Sequence, residues 1–136
     1  MQPPESLNYP YVQGKKKVDL EDRLGEFACM CLRVCILLPN TKAGCNLEYQ
    51  LSKSGTAAAL IYGEAQAAES RNDFIHKMKL ALKEIRESRV NLRIIHTMPV
   101  IVNEAVDKAF KESNELMAIF LTSIETAQKN NEKLKK

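Results

Sequence analysis

The sequence has little of what β-sheet, membrane and secreted proteins require. Of its 136 residues, five are glycine and five are proline, too few for an all-β chain built on many tight turns. No apolar run approaches the roughly 18 residues that a membrane span needs. The first five residues, MQPPE, lack the basic-then-apolar pattern of a secretion signal. We therefore expect a cytoplasmic protein with no membrane partner.

The composition predicts one globular domain with charge that is unevenly distributed. The chain weighs 15.4 kDa and is 45% hydrophobic and 27% charged, which is typical of a single soluble core. The net charge of +3 is too small to imply nucleic-acid binding by itself. Residues 71–97, however, carry seven basic and three acidic groups, whereas residues 98–128 carry two and five.

Proline and glycine divide the chain into segments. Pro3, Pro4, Pro10 and Gly14 predict an irregular N-terminal arm over residues 1–18. The later breakers, Pro39 and Pro99, separate segments in which the apolar residues recur every three or four positions. This period is typical of helices buried on one face. The stripes predict helices over about 19–38, 42–69, 72–97 and 100–130, followed by a basic tail over 131–136.

The second and third predicted helices are separated by a change of phase and not by a proline. Continuing the second stripe would place Asn72 and Lys79 on the apolar face. A new stripe that starts at Phe74 restores the apolar pattern. Ser70 or Asn72 supplies a capping oxygen for the new helix. One continuous helix over 42–97 is the competing interpretation. Short connections between four helices favour an all-α, antiparallel up-down-up-down four-helix bundle.

A strip of small residues lies on the second helix, distinct from its apolar stripe. It consists of Gly55, Ala59, Gly63 and Ala67, four residues apart. Because glycine costs a helix about 1 kcal/mol relative to alanine, another backbone is expected to approach there. Close packing inside the bundle and a subunit interface both explain the strip.

The sequence offers no arrangement that predicts catalysis, a metal or a cofactor. The four cysteines include no C-x-x-C pair, and we expect small buried thiols. Asp73 and His76 have the spacing used in di-iron bundles, but only one such pair is present. Ser54 and Ser88 fall on apolar stripes and are expected to bond to helix carbonyls. We predict a protein that is not an enzyme.

Basic residues form a stripe on the third helix, away from its apolar face. The stripe consists of Lys79, Lys83, Arg86, Arg89 and Arg93, and it could follow the phosphates of a nucleic acid. A solvated face with ordinary ion pairs is the alternative. The acidic fourth helix could also neutralise the stripe, in the same or a neighbouring chain, through Glu104, Asp107, Glu112 and Glu115.

The central part of the chain resembles a family of bacterial four-helix-bundle proteins encoded in intervening sequences of 23S ribosomal RNA genes. The resemblance is carried by KSGTAAALIYGEAQ (53–66), AESRNDFIHK (68–77) and ALKEIRES (81–88). RLGEFA (23–28) and Leu38-Pro39 also match, and the resemblance extends over about 19–130. The sequence departs from the family at Ile61, where asparagine is usual, and at Val90-Asn91, where an aromatic pair is usual.

The resemblance implies a homopentamer without known enzyme activity. A related accessory protein of diversity-generating retroelements is a basic pentameric bundle that binds nucleic acid and a reverse transcriptase. RNA or DNA and such a protein partner are therefore expected by resemblance. Our leading hypothesis is a homo-oligomeric bundle that binds RNA or DNA nonspecifically through repeated basic faces. The alternative is an interaction scaffold or accessory subunit with no nucleic-acid role.

Overall fold

A computed structural model describes residues 19–135 of the chain, and the predicted N-terminal arm over 1–18 lies outside them. Within the described range the structure has four helices and no strand. They are α1 (Leu20–Leu37), α2 (Lys42–Gln66), α3 (Arg71–Thr97) and α4 (Glu104–Lys135). The all-α prediction is confirmed.

The helices form a ring in which each packs against its neighbours in the chain, and α1 also packs against α4. Side-chain contacts show that neighbours are antiparallel. Between α3 and α4, Asn72 contacts Asn131 near one end, whereas His96 contacts Asp107 near the other. The predicted up-down-up-down four-helix bundle is therefore the observed architecture.

The helices begin where a side-chain oxygen caps the backbone. Asp19, Thr41 and Ser70 cap α1, α2 and α3, each accepting a hydrogen bond from a backbone amide of the first turn. The Ser70 oxygen lies 3.0 Å from the amide of Asp73. Residues 67–70 are not helical, so the single helix over 42–97 is wrong. Helix α2 ends at Gln66, three residues before the predicted end at 69.

The largest differences from the predicted boundaries are at the two ends of α4. The helix begins at Glu104 and not at residue 100, because the Asn103 side chain accepts a hydrogen bond from the amide of Ala105 at 2.8 Å. Val102, which continues the apolar series of the fourth predicted helix, lies in the linker before α4 and is 90% exposed. At the other end, α4 continues to Lys135, so the predicted tail is helical over residues 131–135.

The predicted stripes form the core between the helices. The largest fully buried side chains are Phe27, Phe120, Leu24, Leu51 and Met78. Three buried serines accompany them, and all of their hydroxyl groups have partners. The hydroxyl oxygens of Ser54 and Ser88 lie 2.8 Å apart, and Ser88 also lies 3.0 Å from the carbonyl oxygen of Glu84. These serines bond as expected for polar groups in a helical core.

The cysteine prediction is correct for two of the four residues. Cys31 and Cys35 are buried, whereas Cys29 and Cys45 are exposed. Burial raises the pKa of the Cys31 thiol, and the neighbouring Cys35 raises it further. Burial, together with the charge of Glu48, raises the pKa of Cys35 to about 11. Both buried thiols are therefore protonated at neutral pH and unreactive.

The strip of small residues on α2 is split between two environments. A Cβ atom added at Gly55 would lie 2.7 Å from Cys31 Cβ and 2.9 Å from its sulfur, closer than packed atoms approach. Gly55 therefore allows α1 to pack closely on α2. A Cβ atom added at Gly63 would have no heavy atom within 4 Å in the described chain.

These environments predict opposite effects of alanine at the two glycines. Gly55→Ala should lower the free energy of unfolding by about 1–2 kcal/mol, because overpacking outweighs the gain in helix propensity. Gly63→Ala, the matched control, should raise it by up to about 1 kcal/mol. Urea unfolding at one protein concentration measures both. An equal gain in stability for the two variants would contradict the close α1–α2 contact.

Candidate functional site

The basic residues of α3 form an exposed face on the side of the helix away from the core. Lys79, Lys83, Arg86 and Arg93 are all exposed, and at 100° per residue they fall within about 80° of one another. None of the four makes an ion pair with any carboxylate in residues 19–135. We call these four residues the basic face.

Arg89, the fifth residue of the predicted stripe, is directed towards α4. It is half-buried, and its Nε atom donates a hydrogen bond of 2.6 Å to Asn114. Its guanidinium carbon lies 5.3 Å from the centre of the Phe110 ring, within the range of a cation–π contact. The structure therefore places Arg89 in the α3–α4 contact, apart from the basic face.

A lysine from α2 extends the basic face across the neighbouring groove. Lys53 lines the groove between α2 and α3 together with Lys83 and Arg86. The same groove is lined by the amides of Gln50 and Asn91, and by Glu87 and Val90. Sequence reasoning missed Lys53, because only the alignment of α2 against α3 brings it beside Lys83. The groove joins three cationic side chains from two helices.

Two carboxylates moderate the charge of this groove. Glu84 is half-buried, and burial, followed by the neighbouring Glu87, raises its pKa, while the charges of Lys83 and Lys53 oppose the rise. Glu84 is therefore easier to protonate than an ordinary glutamate. The local field remains positive, because Lys53, Lys83 and Arg86 outnumber the two carboxylates.

The acidic residues of α4 are engaged mainly outside the basic face. Arg23 of α1 donates to Glu112 at 2.7 Å and to Glu115 at 2.8 Å. Glu104 lies 3.5 Å from Lys108 of its own helix. The remaining acidic residue of the predicted set, Asp107, lies 3.3 Å from His96 at the end of α3. Within the chain, α4 therefore does not neutralise the basic face.

An apolar patch continues the outer surface of α3 towards the end of the helix. Val90, Ile94 and Met98 are 51%, 45% and 72% exposed, and they border a shallow groove with Arg93 and Thr97. Clustered apolar side chains at a protein surface are typical of interaction sites.

The predicted interface strip does not form one continuous surface. Gly55 is buried against α1, Ala59 and Gly63 are half-buried, and Ala67 is exposed just beyond the end of α2. Ala59 and the neighbouring Leu60 line a groove between α1 and α2. The outer half of the strip is thus accessible, whereas Gly55 is occupied by packing within the chain.

The described residues contain no group of three or more histidine, cysteine, aspartate or glutamate side chains that could hold a metal ion. Asp73 and His76 belong to no such group; Asp73 lies in the first turn of α3, and His76 is exposed. Among the described helices, none combines the length and apolar character required to cross a bilayer.

The bundle is similar to a solved structure of unknown function. That structure is a protein from the S23 ribosomal protein family of Bacteroides thetaiotaomicron. The two chains share 28% sequence identity with a TM-score of 0.72, over 78% of this chain and 98% of the other. No protein-family profile matches this chain, and no curated protein sequence does.

The different placements of Arg89 and Arg86 predict different effects of alanine. Arg89→Ala should lower the free energy of unfolding by about 1–2 kcal/mol, because it removes the hydrogen bond to Asn114 and the contact with Phe110. Arg86→Ala, the control, should change it by less than about 0.5 kcal/mol, as is usual at exposed positions. Chemical unfolding of both variants tests this assignment. Equal stability would remove the distinction between Arg89 and the basic face.

Proposed function

We propose that this protein is a cytoplasmic, homo-oligomeric helical bundle without enzyme activity that binds RNA or DNA nonspecifically. The observation that carries the proposal is the basic face of α3, whose four cations are exposed and make no ion pair within residues 19–135. A solvated face with ordinary ion pairs, or a face neutralised by the acidic fourth helix, would instead place carboxylates within pairing distance of these cations.

The physical basis of binding is the neutralisation of phosphates. Each cation that contacts a phosphate releases condensed counterions, so affinity increases with the number of contacts and decreases with salt. Within residues 19–135, the basic face and Lys53 together offer five such cations. Five copies in a ring, the number that the sequence resemblance implies, would repeat them and strengthen the field around the assembly.

We also infer that the chain is related to the bundle proteins encoded in 23S ribosomal RNA intervening sequences. The neighbour from the S23 ribosomal protein family supports this inference, because this chain matches it over 98% of the neighbour's length with 28% sequence identity. The resemblance of residues 53–66 and 68–77 to the family signature supports it independently.

A second candidate is a protein-interaction scaffold or an accessory subunit, with a reverse transcriptase as one such partner. It is favoured by the apolar patch of Val90, Ile94 and Met98, because exposed apolar clusters are typical of protein contacts. In that case the basic face would contact acidic residues of a neighbouring chain.

Charge reversal on the basic face distinguishes these functions. Lys83→Glu/Arg86→Glu should abolish binding to labelled RNA and DNA at about 50 mM salt, because it replaces two phosphate contacts by repulsion. Lys108→Glu/Lys111→Glu on α4, with the same change of net charge, should retain binding. Filter binding over a series of salt concentrations gives both affinity and salt dependence.

Three results of that experiment would count against nucleic-acid binding. They are the absence of binding by the unmodified protein at about 50 mM salt, binding that does not depend on salt, and equal loss in both double variants. Loss of assembly in Lys83→Glu/Arg86→Glu, measured in parallel, would favour the scaffold.

Light scattering tests the proposed assembly. At micromolar concentration we expect a particle several times the 15.4 kDa of one chain, and five times that mass for a pentamer. Gly63→Leu should reduce this mass if the accessible half of the small-residue strip is an interface, because a bulky side chain would separate the subunits. A particle of 15.4 kDa would contradict the proposal.

A further inference from the structure

The groove between α2 and α3 contains more than cations, and this suggests what form of nucleic acid it binds. Its lining combines Lys53, Lys83 and Arg86 with the side-chain amides of Gln50 and Asn91. Cations alone would suit any polyanion, whereas amides beside them can also bond to the edges of unpaired bases. This inference rests on the proposed nucleic-acid binding.

An exposed aromatic ring contacts Lys53, one of the cations that line the groove. Tyr49 is 61% exposed and precedes Lys53 by one turn of α2, so the two side chains are neighbours on the helix surface. The Lys53 ammonium lies 5.8 Å from the centre of the Tyr49 ring. The ring is therefore held next to a cation that lines the groove, while much of its surface remains open to solvent.

We propose that the α2–α3 groove binds single-stranded RNA or DNA, with the phosphate backbone on Lys53, Lys83 and Arg86 and one base stacked on Tyr49. Exposed aromatic rings beside a cationic groove are the usual means by which proteins hold single strands without reading their sequence. In a duplex the faces of the bases are stacked on each other and cannot reach Tyr49. The ring therefore contributes to single-strand affinity only.

The positions of Lys79 and Arg89 are consistent with this geometry. Lys79 lies one turn before Lys83 on α3, so the basic face continues beyond the groove. A strand that leaves the groove in this direction would meet a further phosphate contact. Arg89 is excluded from the path by its contact with Phe110.

Fluorescence anisotropy with labelled oligonucleotides of about 15 nucleotides, which is near the size of such sites, tests the proposal. The probes are oligo-dT, oligo-U and a DNA duplex of mixed sequence. We expect the unmodified protein to bind both single strands at least about 5-fold more tightly than the duplex. Tyr49→Ala should weaken single-strand binding by about 5- to 100-fold, the range expected for one stacked base. It should leave duplex binding unchanged.

The control variants separate stacking from folding. Tyr49→Phe retains the ring and should retain single-strand affinity, whereas Tyr49→Leu retains an apolar side chain without the ring and should behave like Tyr49→Ala. Circular dichroism should show the same helical content for all three, because the side chain is exposed.

The outcomes distinguish this proposal from the broader one. Equal affinity for single strands and duplex, or an unchanged affinity in Tyr49→Ala, would overturn single-strand stacking. If Lys83→Glu/Arg86→Glu still lost binding, nucleic-acid binding itself would stand. The absence of binding to all three probes at about 50 mM salt would overturn both proposals.

Discussion

Each helix of this protein carries one apolar stripe, and the four stripes can leave water together only if the helices pack side by side. This constraint fixes which residues face outwards and which lie along the contacts between helices. Charged residues near those contacts can then pair across the helices only where the packing brings them to the same level of the bundle. Arg23 reaches Glu112 and Glu115 because antiparallel packing of α1 and α4 places them together. Burial of the stripes therefore determines the arrangement of surface charge.

The consequence for the proposed function is a basic helix that its acidic neighbour does not neutralise. The carboxylates of α4 are held mainly by α1 or by α4 itself, so the outer face of α3 remains positive. The same packing brings Lys53 of α2 beside Lys83. Tyr49, which contacts Lys53, remains exposed to solvent. The features that support nucleic-acid binding thus lie along one groove and one helix face.

Small side chains allow the helices of this bundle to approach closely. Gly55 contacts α1, and the adjacent Ser54 contacts Ser88 of α3 through its hydroxyl group. One short stretch of α2 therefore packs against two neighbours, and the polar atoms buried there are hydrogen-bonded. Gly63, two turns later, has no comparable neighbour within the described chain, which leaves the second half of the small-residue strip available for contact with another subunit.

The sequence by itself determined the number of helices, their apolar faces and the candidate basic residues, because these follow from a period that the backbone of an α-helix imposes. It also narrowed the cap of α3 to Ser70 or Asn72, since a short polar side chain before an apolar series is a local signal, and the structure selects Ser70. Tertiary structure decided the rest. Val102 continues the apolar series but lies in a linker, because the Asn103 side chain caps α4 and the helix begins after Val102. Arg89 has the same spacing as its neighbours but contacts Phe110, and Lys53 joins the groove although it is 30 positions from Lys83 in the chain. These placements depend on the rotation and alignment of whole helices, which are set by the fit of side chains from several helices at once.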